Sequence, residues 1–218
     1  MTIKTNPSLI SVRNTRLEDS EAIHEIVALA FGGEVGEPMA MSRPHIQQQL
    51  RRFREGQFVA VTPQGRVVGT ATTMRTNKPP TATPQPWLKM IGGLELNNHD
   101  PNGQWLYGAE FAVHPSFQGM GIGRTLYEAR FQFVKQLNLR GFYAVGMLMG
   151  YHRYQHRMSV AEYADKVVKH EIEDPTVSMQ MRRGFKALRF VDYYNDEPLA
   201  GNAGMLIVWH NPDYRPMY

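Results

Sequence analysis

The stretch VHPSFQGMGIGRTLYEAR, Val113 to Arg130, sets Gly119, Gly121 and Gly123 between the end of an apolar strand and a helix-forming run. Glycines at that spacing let a backbone turn sharply or come close to a ligand. Two familiar nucleotide motifs fail on residues. A dinucleotide fingerprint, G-x-G-x-x-G, would need glycine where Arg124 stands, and the following strand, FYAVGMLMG, supplies no acid for a ribose. A triphosphate loop needs G-x-x-x-x-G-K-[ST], and no lysine lies near. What remains is Q-x-x-G-x-G, Gln118 to Gly123, at a strand-to-helix junction. Such a junction aims unpaired amides and the positive end of a helix dipole at one point, a setting for an anion to which Arg124 adds charge. A tight turn without a ligand is the plain alternative.

Outward from this stretch, the hydrophobic pattern predicts the remaining elements. Toward the C-terminus, Ile122, Leu126, Ala129, Phe133 and Leu137 recur at helical spacing up to a stop before Gly141. FYAVGMLM reads as a buried strand. Ser159 and Glu162 form an S-x-x-E capping box for a helix running through His170. Asp174 and Pro175 begin a short helix that stops at Gly184, and ALRFVDYY and AGMLIVWH close the chain as two strands. Toward the N-terminus, QWLYGAEFAVHP is a strand, and QFVAVTPQGRVVGTATTM is a hairpin turning at Pro63–Gly65. Two amphipathic helices precede it. One is capped by Asp19 or Ser20, has Ile23, Ile26, Val27, Ala30 and Phe31 inward, and ends at Gly32 and Gly33. The other starts near Ser42 with Ile46, Leu50 and Phe53 inward. ISVRNTRLED supplies a first strand. Residues 77–104, with NKPPTATPQPW and NNHDPNG, form an irregular insertion of which part is expected to touch a ligand. The order β α α β β β α β α α β β, with no clear linker, predicts a single α/β domain over residues 1–218.

Composition narrows the chemistry. The 218 residues are 42% hydrophobic and 20% charged, with a net charge of +4, which describes a globular protein and gives no case for nucleic acid. Cysteine is absent, so disulfides, Cys nucleophiles and Cys-ligated metals are excluded. The N-terminus has no apolar signal-peptide core and no run approaches a membrane span, so a cytoplasmic protein without a membrane partner is expected. His152 and His156 lack a third ligand in a recognised spacing, so no metal is expected. Ser116 has no nucleophile elbow around it, and Arg51, Arg52 and Arg54 read as a solvated helix face.

Val113-x-Pro115, then Gln118-x-x-Gly121-x-Gly123, then an amphipathic helix, resembles the acetyl-CoA-binding motif of the GNAT acyltransferase superfamily, and the element order resembles that fold over nearly the whole chain. The fold class this implies is α/β (α+β), with a central mixed, mostly antiparallel sheet flanked by helices. HDPNGQWLYG, GYHRY, EYADKVVKHEIEDPTVSMQMRRGF and VWHNPDY further resemble the GNAT half of bacterial proteins that join such a domain to a carbon–nitrogen hydrolase. A chain ending at Tyr218 is expected to lack the hydrolase half.

The resemblance implies acetyl-CoA as co-substrate and an N-acetyltransferase that transfers an acyl group directly to an amine. Phe111, Ala112 and Val113 would pair with the pantetheine arm. Gln118, Gly119, Met120, Gly121, Ile122, Gly123 and Arg124 would hold the pyrophosphate. Thr176 to Arg183 would flank the coenzyme's other side. An amine is mostly protonated at neutral pH, so a base is useful. Glu110 is the first candidate, and Tyr107, an odd number of residues away, replaces it if the strand has the opposite phase. The tyrosine acid common in the family falls at Gln180 here, leaving Tyr151, His152 and Tyr154 as residues near the acceptor mouth, with Met147 and Met149 as an apolar lining. The acceptor is expected to be a small-molecule or protein amine, and a homodimer is the candidate assembly. The departure at Gln180 motivates an alternative, a non-catalytic acyl-CoA-binding module or a partner of a separate hydrolase.

Overall fold

A computed structural model describes residues 10–31 and 41–216. β1 (Ser11–Asn14), β2 (Gln57–Val61), β3 (Val67–Thr76), β4 (Trp105–Val113), β5 (Gly141–Met147), β6 (Lys186–Val191) and β7 (Gly204–His210) form one sheet. Its order is β1-β2-β3-β4-β5-β7-β6. Every pairing is antiparallel except β4 with β5. That single parallel pair requires a crossover, which α4 (Ile122–Gln136) provides. The mixed, mostly antiparallel sheet is the one expected.

α1 (Ser20–Ala30) and α2 (Arg43–Phe53) cover one face of the sheet. Ile23, Ile26, Val27 and Ile46 pack there against Val59, Val61, Val67 and Ala112. α4 covers the other face, with Ile122 and Leu126 against Phe58, Ala60, Val68 and Ala71. Burying each such aliphatic side chain contributes about 1.5–3 kcal/mol, so the two helical layers hold the sheet between them. α5 (Val160–Val168) and α6 (Val177–Arg182) extend the α4 layer, joining Tyr127, Phe142, Tyr163, Val177 and Phe185 in the largest apolar cluster.

Local signals explain most boundaries. Ser159 accepts from the Glu162 amide at the start of α5. Asp174 accepts from the amides of Thr176 and Val177 before α6, and its second oxygen takes Gly150 N–H and the Tyr163 hydroxyl. One buried carboxylate thus fixes α6, α5 and the end of β5 together. Asp19 precedes α1 but does not cap it with its side chain, because its carboxylate binds Arg13 at 2.7 and 2.8 Å and the Arg16 amide.

Some expectations are corrected. Phe31, expected inward, is exposed just past α1, where the chain leaves helical phase. Leu137 is likewise exposed as the C-cap of α4, whose buried series is Ile122, Leu126, Tyr127, Arg130 and Val134. The helix is rotated relative to the sequence reading because the aromatic cluster beneath it takes Tyr127 and the stem of Arg130. The α5 helix ends at Val168, short of His170. The insertion contains a short helix, α3 (Trp87–Ile91), closed by Gly92 at φ 75°. The helix stop at Gly32 and Gly33 lies outside the described residues.

Candidate active site

β4 and β5 pair only from Trp105↔Gly141 to Gly108↔Ala144. Beyond that point β4 continues to Val113 and β5 to Met147, so Glu110–Val113 keep β3 on one side and are not paired with β5 on the other. An unpaired strand edge inside a fold is a template for an extended ligand. Phe111, Ala112 and Val113 therefore lie where an added strand can bind.

The parting coincides with a β-bulge. Thr72 pairs with Glu110 while Thr73 pairs with Gly108, which leaves Ala109 as the extra residue. The bulge decides the phase. Tyr107 opposes Met74 and Glu110 opposes Thr72, so Tyr107 and Glu110, an odd number apart, share one face of the sheet. Tyr107 is fully buried, and its hydroxyl is 2.6 Å from that of Tyr194. Burial, then the neighbouring Tyr194, pushes its pKa well up. It is a satisfied core tyrosine. Glu110 differs: its Oε1 is buried with no hydrogen-bond partner, and burial pushes its pKa up to about 8.

Past β4, a 3-10 turn (Pro115–Phe117) leads into the glycine loop. Gly119 has φ 76° and Gly121, the N-cap of α4, has φ 80°. No atom lies within 4 Å of where a Cβ would stand on either glycine. Gly123 has a different reason: a Cβ there would be 3.3 Å from the Phe111 ring, so this glycine seats α4 on β4. Ile122 is buried and anchors the first turn of α4. Met120 lies between the two open glycines, Gln118 donates to the Val113 carbonyl at 3.3 Å, and Arg124 pairs with Glu128 at 2.6 Å along the exposed face of α4. The open glycines and the first-turn amides of α4 stand at the positive end of the helix dipole, a setting whose chemistry suits an anion such as a pyrophosphate.

On the α4 face, Gln180 of α6 reaches the separated half of β5. A Cβ at Gly146 would lie on the Gln180 Oε1, which has no hydrogen-bond partner, while Nε2 donates to the Tyr127 hydroxyl at 2.9 Å. Arg130, also fully buried, places its guanidinium 4.1 Å from the Tyr127 ring centroid, 4.9 Å from Phe111 and 5.0 Å from Phe142. Its Nε donates to the Leu126 carbonyl and its Nη2 is unpartnered. Burial lowers its pKa, opposed by Tyr127. Three aromatic faces hold a cation that no carboxylate among the described residues neutralises.

Tyr151 stands apart from this centre. Its hydroxyl donates to the Met158 carbonyl at 3.1 Å and its ring packs on Tyr163 and Gly201. It holds its own loop, as His152 does through the Met149 carbonyl. Sequence reasoning missed Arg130, whose only signal was its place in the i, i+4 series Ile122, Leu126, Arg130. It also missed the use of Trp87, whose indole N–H donates to the Ala109 carbonyl at 2.6 Å and so caps the bulge. Among the described residues no group of His, Asp and Glu is placed to hold a metal, and no helix is long and apolar enough to cross a membrane.

Comparison with known proteins agrees with this geometry. The model of the acetyltransferase (GNAT) family matches residues 20–158. The chain is 32% identical over 206 residues to the probable hydrolase YhcX of Bacillus subtilis, covering 94% of this chain but only 39% of that protein. It is 24% identical to YkwB of the same organism, an uncharacterized N-acetyltransferase, covering 94% and 91% of the two chains. Among solved structures, the GphF GNAT-like decarboxylase bound to isobutyryl-CoA superposes with TM-score 0.76 at 18% identity, covering 92% of this chain and 99% of that one. The loading GNATL domain of CurA from Lyngbya majuscula gives 0.73 at 18% identity, over 93% and 98%. These last two show a shared fold. With a family model matching most of its length around the bulged strand and the glycine loop, the chain belongs to the acetyltransferase (GNAT) family.

Proposed function

We propose that the protein is an acetyl-CoA-dependent N-acetyltransferase that transfers the acyl group directly to an amine held in a ternary complex. The observation that carries this reading is Glu110: a half-buried carboxyl whose Oε1 is buried without a hydrogen-bond partner, just past the point where β4 and β5 part. A group in that state costs stability, and such groups gather where chemistry needs them.

The open edge of Phe111–Val113 binds the pantetheine amides as a strand would, and Gly119–Gly123 receive the pyrophosphate. A backbone amide beside the bulge is available to polarise the thioester carbonyl. Glu110, about a tenth ionised at pH 7 with a pKa near 8, takes a proton from the amine as its nitrogen bonds to the carbonyl carbon. The carbon–sulfur bond breaks and the thiolate leaves. Gln180 cannot supply a proton, so the thiolate is protonated from water. Support from relatives is of the same kind: YkwB is described as an N-acetyltransferase, and structures of this fold have been solved with isobutyryl-CoA and with CoA.

Release of free thiol from acetyl-CoA with a panel of amines tests the reaction. Glu110→Gln should slow it while leaving the thermal shift produced by acetyl-CoA nearly unchanged. No shift with any CoA ester, set against NAD and ATP as controls, would remove the coenzyme from the reading. Gln180 favours a second reading, an acyl-CoA-binding module without turnover. Tight acetyl-CoA binding with no thiol release for any amine would select it. Co-purification with a separate hydrolase would give that module a partner of the kind the similarity to part of YhcX suggests.

A further inference from the structure

The connection from β1 to α1 and the last turns of α2 border a cleft of about 290 Å³. Gln47, Leu50, Arg51 and Arg54 fall at i, i+3, i+4 and i+7, so one stripe of α2 and its 3-10 extension (Arg54–Gly56) forms one wall. Arg16, Leu17 and Glu18 form the other. Three arginines from two segments therefore meet beside Leu17 and Leu50, with Glu18 as the acid among the lining residues. Of the helix face expected to be simply solvated, Arg52 turns away from the cleft and donates to Asn97.

These three cations lack the partners that arginines elsewhere in the chain have. Arg13 holds Asp19, Arg124 holds Glu128 and Arg182 holds Glu173. Among the described residues, Arg16, Arg51 and Arg54 make no ion pair. Asp19, near Arg16, has both oxygens committed to the Arg13 guanidinium and the Arg16 amide. The helix dipole accounts for only part of the cluster. It favours a cation in the last turn of α2, where Arg51 stands. It opposes Arg16, which precedes the turn leading into α1. Arg51 and Arg54, three residues apart on one helix side, also repel each other.

We infer that this cleft binds a small organic dianion, a phosphate monoester or a dicarboxylate. A guanidinium presents parallel N–H donors that match either group, and three of them converge here. Three guanidiniums against the single carboxylate of Glu18 leave an excess of two positive charges, which a dianion neutralises. At about 30 Å³ per water-sized group the cleft holds about ten such groups, room for a molecule the size of glycerol 3-phosphate. Leu17 and Leu50 give its carbon body an apolar surface to lie on. No residue of this lining is among those proposed to hold the coenzyme or to move a proton, so the site does not depend on that reading.

Calorimetry on the full chain at low ionic strength, where exposed charges are least screened, tests it. Glycerol 3-phosphate or succinate should bind with a Kd of about 1 mM or tighter, and glycerol should not bind. The tighter of the two anions names the class. Arg51→Gln with Arg54→Gln should weaken binding at least about tenfold, while Glu18→Gln should tighten it. Arg43→Gln, at an exposed position of α2 outside the cleft, makes the same kind of charge change and should leave the affinity within about twofold. Unchanged far-ultraviolet circular dichroism shows that these surface variants are folded. No binding of either anion up to about 10 mM would overturn the inference. Equal weakening by Arg43→Gln would also overturn it, as a response to net charge alone. So would weakening by Arg124→Gln in place of the cleft variants, which would put the anion at the glycine loop.

Discussion

Two loops rich in glycine or proline flank β4, and they solve opposite problems. The loop after the strand, His114–Gly121, is anchored at His114 and Phe117, through Val68, Glu25 and Arg66, while two of its glycines face open space at φ 76° and 80°. The insertion before it is bonded to four other parts of the structure through Trp87, Lys78 and Thr81. One loop leaves backbone amides available, and the other covers a strand face. The difference shows that irregular backbone beside a site need not itself be the site.

The comparison can be broken at several points. The largest effect is expected from Gly121→Val. Acetyl-CoA should lose at least about a hundredfold in affinity, roughly 2.7 kcal/mol, in calorimetry. Gly65→Val is the control, since Gly65 has φ 81° and equally open surroundings in the β2–β3 turn. Equal loss in both variants would mean that backbone strain, not a filled cradle, is responsible.

Next comes Glu110→Gln, expected to lower kcat about a hundredfold near pH 7. With a weakly basic amine as acceptor, the wild-type rate should rise with pH toward about 8 and the variant should lack that limb. A stability signature accompanies it. The folded state keeps a proton that the unfolded chain releases near its ordinary value of 4.5, so stability falls as pH rises from about 4.5 to about 8 and is level above. The melting temperature of Glu110→Gln minus that of the wild type should therefore grow across this window. Parallel curves would show that Glu110 is not buried as a proton-bearing group.

A smaller effect is expected at Trp87→Phe, which removes only the indole donor from the Ala109 carbonyl. A cost of about 1–2 kcal/mol in denaturant unfolding follows from one buried acceptor left unpaired. Trp87→Phe with unaltered stability would mean that the bulge does not depend on the insertion. The smallest is Ser159→Ala at the start of α5, about 1 kcal/mol, far from both loops and without effect on coenzyme binding.

Legibility in the sequence followed the range of the interactions. Gln118 to Gly123 could be read because its chemistry is local: residues at fixed offsets, in one loop, ahead of one amphipathic helix. The caps at Ser159 and Asp174 and the hairpin turn at Pro63–Gly65 are local in the same sense. Glu110 was legible as a candidate but its direction was not, because alternation holds only while a strand is unbroken. Tyr151 stood close in sequence to the end of β5, yet the neighbouring Met158 carbonyl and Tyr163 ring hold it in its own loop. Arg130 reads as a solvated charge by residue type, and only three converging aromatic rings account for its burial.

The sequence by itself determined the element order, the glycine junction and the absence of any cysteine chemistry, since these depend on backbone preference and residue type at short separation. Only the tertiary structure decided that β4 bulges at Ala109, that Glu110 shares a face with Tyr107, and that Trp87 reaches across to cap the bulge. Those outcomes depend on β3 and β5 lying beside β4 and on the insertion folding back over them. Such contacts join residues far apart in the chain, and their balance of buried area and satisfied hydrogen bonds is settled only when the whole sheet is assembled.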